Sequence, residues 1–196
     1  MNLEEVRERT EEFRKHYLAG CFSIPVDILS LAELGLGLNI IPIDGLCQKY
    51  GIDAALCPSF DGIYIDQESY VFWEKGPAWK QNRLRFTVAH EIGHLVLHRD
   101  RAVRFRTRDE FIRHFTEPRY DVEQEANEFA GRLLVPLERL RKFYDDFADA
   151  MNASGIAFRQ DDGMRERLAD SVAPKFGVHR QVISTRLDRE NLWFSG

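Results

Sequence analysis

Apolar residues recur at steps of three and four at the start of the chain. Leu3, Val6, Thr10, Phe13 and Tyr17 share a face, with Glu and Arg between them, and predict an amphipathic helix ending at Ala19-Gly20. A second helix is predicted from Pro25 to about Leu34, where Gly35 and Gly37 break it. The periodicity then changes. Leu38 to Ile43 reads as a strand, and Pro42 suits an edge position. Gly62-Ile63-Tyr64-Ile65-Asp66 alternates, and Tyr70-Val71-Phe72-Trp73 follows after a few polar residues, as in a hairpin. Beyond the Gly76-Pro77 turn, helical spacing returns from Trp79 to His98, from Asp121 to Leu134 and from Leu137 to Ala150. Asn152 to Gly163 is a polar loop. Arg165 to Trp193 predicts two or three short helices broken at Pro174 and Gly177.

These elements sum to an α+β fold: a small antiparallel sheet packed on a mostly helical body, with the 79–98 helix at its centre. Residues 1–150 are expected to form the core. Residues 151–196 form a helical, helix-turn-helix-like tail belonging to the same domain. The length of 196 residues suits one domain, and 14 Phe, 6 Tyr and 3 Trp supply core material. Apolar runs are a few residues long, against the roughly 20 a spanning helix needs. Met1 to Arg9 has no apolar stretch of the kind a secretory signal carries. Cys21, Cys47 and Cys57 show no C-x-x-C spacing and read as free or buried thiols, which implies a cytoplasmic location. The net charge of −5 gives no electrostatic reason for a nucleic-acid partner.

One segment carries chemistry. His90-Glu91-Ile92-Gly93-His94 is an H-E-x-x-H motif, flanked by the uncharged Thr87-Val88-Ala89 and Leu95-Val96. A helix without charges on its flanks is buried on most sides, and two buried histidines and a glutamate need a partner. Four residues apart, His90 and His94 share a face, lie about 6 Å apart along the axis and can converge on one ion. Glu91 is turned about 100° away. It is a poor ligand there, but suited to take a proton from an attacking water.

A catalytic zinc takes a third protein ligand and keeps an open position. A third histidine six residues past the second is absent, since Asp100 stands there. His98 lies one turn past His94, but the face drifts by about 40° every four residues. His98 is therefore expected to miss the ion and to serve as a helix-end or supporting group. The 121–134 helix offers Glu123 and Glu125. Asn127 lies one turn beyond Glu123 and could orient it, and Glu123 lies nearer the apolar stripe of Val122, Ala126, Ala130 and Leu134. Glu123 is the favoured ligand, and Glu125 the alternative.

Arg85 to His94, then Glu123 to Ala130, then Leu133-Leu134-Val135-Pro136 together resemble the ImmA/IrrE family of metallopeptidases. Pro25-Val26-Asp27 and Gly62 to Ile65 resemble its weaker flanks, so the likeness spans roughly residues 5 to 190. It implies a minimal zincin-like core, a bound Zn²⁺ held by His90, His94 and Glu123, and Glu91 as catalytic base. It also implies endopeptidase action on a protein substrate: a helix-turn-helix repressor or antitoxin whose loss derepresses a phage, mobile-element or stress-response operon. The arginine-rich stretch after His98, with Arg99, Arg101, Arg104, Arg106, Arg108 and Arg113, departs from the family pattern.

Two other functions compete. The chain could hold metal without catalysis, as a toxin or sensor; the intact Glu91 argues against that. It could regulate by binding DNA through the tail, where Arg180, Arg186 and Arg189 are fewer basic residues than a DNA-reading helix normally shows. The arginine-rich stretch reads as a solvated flank of the cleft, partly anchored by Phe105, Phe111 and Phe115.

Overall fold

The structure, a computed structural model, describes residues 1–19, 23–99 and 120–193. Cys21 and nearly all of the arginine-rich stretch lie outside the described residues.

Helix α1 (Leu3–Tyr17) starts at a capping box. The Glu5 N–H donates to Asn2 Oδ1 at 2.9 Å, and the Asn2 N–H donates to Glu5 Oε2 at 3.0 Å. Its buried face is Val6, Thr10 and Phe13, as the spacing predicts, and the Phe13 ring meets Phe129 at 5.4 Å. Helix α2 (Ile28–Ser30) starts later than Pro25, because Asp27 caps it, and widens into a π-helical turn, Leu31–Gly35.

Strands β1 (Asn39–Ile43), β2 (Ala54–Leu56) and β3 (Gly62–Asp66) form a sheet in the order β1-β3-β2, with α3 (Leu46–Tyr50) between the first two. The α+β class holds, and Pro42 does lie on an edge strand. The sheet, however, is mixed and not antiparallel: β1 runs parallel to β3, with Ile41 opposite Tyr64, while β2 is antiparallel to it, with Ala55 opposite Tyr64. The expected hairpin at Tyr70–Trp73 is also corrected. That segment lies in helix α4 (Gln67–Lys75). No glycine or asparagine follows Asp66 to turn the chain back. Instead Asp66 accepts the Ser69 N–H at 3.3 Å and starts a helix.

Five longer helices make the body: α5 (Ala78–His98), α6 (Tyr120–Leu134), α7 (Leu137–Ala153), α8 (Asp162–Phe176) and α9 (Arg180–Arg189). Helix α5 is central, with Leu84, Val88, Ala89 and Ile92 all buried, and it packs most extensively on α6 through Ala126, Phe129 and Ala130. Pro174 does not break the tail as predicted. It lies in the last turn of α8, which runs on to Phe176 and ends at Gly177 with φ 61°. This left-handed φ favours glycine at that end, and a Cβ would also meet the Arg85 guanidinium, which donates to the Gly177 carbonyl at 2.8 Å.

The tail is tied to α6 by buried charge. Arg132 donates to Glu128 and to Glu190, each at 2.7 Å, and Arg186 donates to Glu190 at 2.7 Å and to the Val135 carbonyl at 3.3 Å. Arg186, 2% exposed, thus faces inward from the helix that the DNA-binding alternative needs.

Candidate metal centre

The two motif histidines emerge from the face of α5 that α6 covers. Their Nε2 atoms lie 2.9 Å apart. Glu123, from the first turn of α6, places Oε2 at 3.1 Å from His90 Nε2 and Oε1 at 3.4 Å from His94 Nε2. Among the described residues, His90, His94 and Glu123 form the group able to hold a metal, their ligand atoms all within 4.8 Å of one another. Glu125 is not in it. Its Oε2 lies 2.9 Å from His98 Nε2, further along α5.

Gly93 makes this convergence possible. A Cβ there would sit 3.1 Å from the Ala126 carbonyl oxygen and 3.2 Å from the Ala126 Cα. The absence of a side chain lets α6 come close enough for Glu123 to reach both rings.

The remaining ring nitrogens test whether the site suits a cation. His90 Nδ1 lies 3.0 Å from Asn127 Oδ1, an oxygen that can only accept, so that nitrogen carries the hydrogen and Nε2 offers its lone pair to the cluster. His94 Nδ1 is likewise engaged, at 3.0 Å from His98 Nδ1. Two imidazole lone pairs and a carboxylate oxygen aimed at one point fit a divalent transition ion. Asn127 contacts His90, and not Glu123 as expected. His98 lies outside the His90–His94–Glu123 group, with its Nδ1 against the far nitrogen of His94.

Glu91 is 5% exposed. The backbone N–H of Leu56 donates to its Oε2 at 2.9 Å, which fastens the carboxylate to strand β2. No motif in the sequence shows this contact. Burial raises the Glu91 pKa, against the pull of His94, His90 and the Leu56 amide. For His90 burial works the other way, but the Glu123 carboxylate outweighs it, helped by Glu91 and Asn127, and raises the pKa. For Glu123 burial acts upward, but the two imidazoles, when protonated, outweigh it and hold the carboxyl far below the usual carboxylate range.

The cluster opens into a cavity of about 260 Å³, lined by Ala54, Ala55 and Thr87 as well as by the ligands, Glu91 and Asn127. Phe86 and Thr87 are shared with a larger, mainly apolar cavity of about 580 Å³ that extends to Trp79, Ala173, Pro174 and Val182. The histidines, the base candidate and an edge strand thus face one cleft.

A family model described as the IrrE N-terminal-like domain, a peptidase family, matches residues 79–188, more than half of the chain. The chain belongs to this family. The matched span runs from the start of α5 nearly to the end of α9 and takes in every residue of the cluster, together with Glu91 and Asn127. For this IrrE-like peptidase the His-His-Glu group and the family agree on a metallopeptidase-type function. No curated protein matches the chain. Among its described residues no helix is long and apolar enough to cross a membrane.

Proposed function

We propose that the chain is a zinc-dependent endopeptidase that cleaves a helix-turn-helix repressor or antitoxin in the cytoplasm. One observation carries the peptidase reading: Glu91 and the His90–His94–Glu123 cluster line the same cleft, beside β2, an edge strand of the sheet among the described residues. Zinc suits the donor set of two imidazoles and one carboxylate, which leaves a position for substrate. When bound, the ion polarises the scissile carbonyl and the attacking water.

The protein's own residues supply the rest. Glu91 takes the water's proton on its carboxylate and passes it to the departing amine. Its raised pKa makes it a stronger proton acceptor than an exposed glutamate, and the Leu56 amide keeps it from rotating away. The substrate is expected to lie extended along β2. The Gly62–Asp66 strand is unsuited to this role, because it is the central strand and is paired on both sides. On either side of β2, Asp53 and Cys57 bond across to Asp66 and Gly62, so by alternation Ala54 and Leu56 turn their backbone groups outward. Leu56 gives its N–H to Glu91, and the Ala54 backbone is the place where a peptide is expected to pair.

DNA binding through the tail finds less support. Arg180 pairs with Asp170 at 3.6 Å, Arg189 with Glu128 at 3.4 Å, and Arg186 is buried. The deciding experiment co-expresses the repressor encoded beside this gene with wild type or Glu91→Gln, and follows cleavage by gel. Wild type should cut, and the variant should cut at least 10²-fold more slowly. Equal loss of repressor from its DNA in both cases, without a cleavage product, would overturn the reading.

A further inference from the structure

His94 is held at both ends of its ring. Its Nε2 faces the metal cluster, 3.4 Å from Glu123 Oε1, and its Nδ1 lies 3.0 Å from His98 Nδ1. The other nitrogen of His98, Nε2, lies 2.9 Å from Glu125 Oε2, and the Met1 amino group lies 2.5 Å from Glu125 Oε1. His94, His98 and Glu125 are 4%, 6% and 5% exposed, so water does not readily substitute for these bonds.

Donor and acceptor balance gives the chain a direction. To ligate through Nε2, His94 must keep that lone pair and carry its hydrogen on Nδ1. The Nδ1 lone pair of His98, 3.0 Å away, takes that hydrogen. His98 then carries its own hydrogen on Nε2 and donates it to the Glu125 carboxylate, which only accepts. With His98 neutral and its hydrogen on Nε2, moving the His94 hydrogen to Nε2 removes the ligand lone pair and sets two Nδ1 lone pairs against each other at 3.0 Å.

We propose that His98 and Glu125 are positioning residues: a buried imidazole–carboxylate relay that selects the Nε2-ligating tautomer of His94. The inference rests on the metal reading of the cluster. A ligating histidine commonly donates its far N–H to a carboxylate or carbonyl directly. Here a whole imidazole is inserted between ligand and carboxylate. The other histidine, His90, makes do with the amide of the exposed Asn127. The relay also explains why α6 carries both Glu123 and Glu125: one binds, and the other orients a binder on the opposite helix.

The test uses the untagged chain, zinc alone as probe, and competition with a chromophoric chelator. His98→Phe fills the buried space but accepts no hydrogen bond. His98→Asn keeps an acceptor near the position of Nδ1. Phe should weaken zinc binding roughly 10–100-fold, and Asn should restore most of it. A purely packing role predicts the reverse order. In the metal-free protein, ¹⁵N NMR of the imidazoles should show His94 with its hydrogen on Nδ1 in wild type, and a shift toward Nε2–H in His98→Phe. This wild-type spectrum stands even if a variant fails to fold, and a wild-type His94 with its hydrogen on Nε2 overturns the relay. Equal zinc affinity in wild type and His98→Phe, with zinc lost in His90→Ala, overturns the relay alone. Absence of uptake by wild type overturns the metal reading and the relay with it.

Discussion

Gly93 lies directly against the backbone of Ala126, close enough that an added Cβ would sit 3.1 Å from the carbonyl oxygen. The glycine inside the H-E-x-x-H motif therefore sets the distance between the helix that carries the histidines and the one that carries Glu123. Gly93→Ala should weaken zinc binding several-fold while the protein stays folded. Gly93→Val should destabilise it by about 1–3 kcal/mol, because backbone and not a flexible side chain must move. Chelator competition and urea unfolding check the two effects.

The two glutamates of α6 should separate cleanly. Elemental analysis should find about one zinc per chain, lost in His90→Ala and His94→Ala and largely lost in Glu123→Gln. Glu125→Gln should retain zinc at saturating metal, because Glu125 contacts His98 and not the cluster. Retention in Glu123→Gln with loss in Glu125→Gln would reverse the assignment.

Much of this site was legible because it is local. Spacing along a helix places His90 and His94 together, and apolar flanks announce burial; both follow from a period of 3.6. The limits of α5 and α6 agree with the pattern to within a residue or so. What the pattern could not give depends on pairing between distant segments. Strand β3 alternates as an exposed-edge strand would, yet it is central, because its neighbours come from residues 39–43 and 54–56. Tyr70 and Val71 resemble strand residues, but they stand exposed on α4 once Asp66 caps it. The Leu56–Glu91 bond joins a backbone amide to the motif across 35 residues, and a backbone amide has no sequence signature.

Acidity should act on Glu91 in the metal-free protein in a defined direction. Its carboxyl holds a proton to higher pH in the fold than in the unfolded chain, where it titrates near 4.5. As pH rises past that value the unfolded chain ionises first, so stability is withdrawn until the folded-state carboxyl has ionised too. Glu91→Gln removes this penalty and can still accept the Leu56 N–H. Metal-free Glu91→Gln should therefore melt above metal-free wild type at about pH 7, and the difference should vanish below about pH 4. Differential scanning calorimetry at both values tests it.

Ala54 offers a test of where substrate lies. Ala54→Pro deletes an outward N–H and leaves the bonds to β3 made by Asp53 and Cys57. Zinc content should be unchanged. Cleavage of the repressor should fall by roughly tenfold, the worth of about one backbone hydrogen bond, and chiefly through KM. An unchanged KM would remove β2 from the substrate path.

The supports of the two histidines differ in depth, and this sets a route for exchange of the ion. The Glu123 side chain is 40% exposed and that of His90 16%, while that of His94 is 5%. Solvent thus reaches the cluster from the Glu123 side. A chelator or a competing protein meets Glu123 first and His90 next, and His94 holds on longest. Loading should run backwards along the same path, with His94 as the fixed point on which each incoming ion is caught.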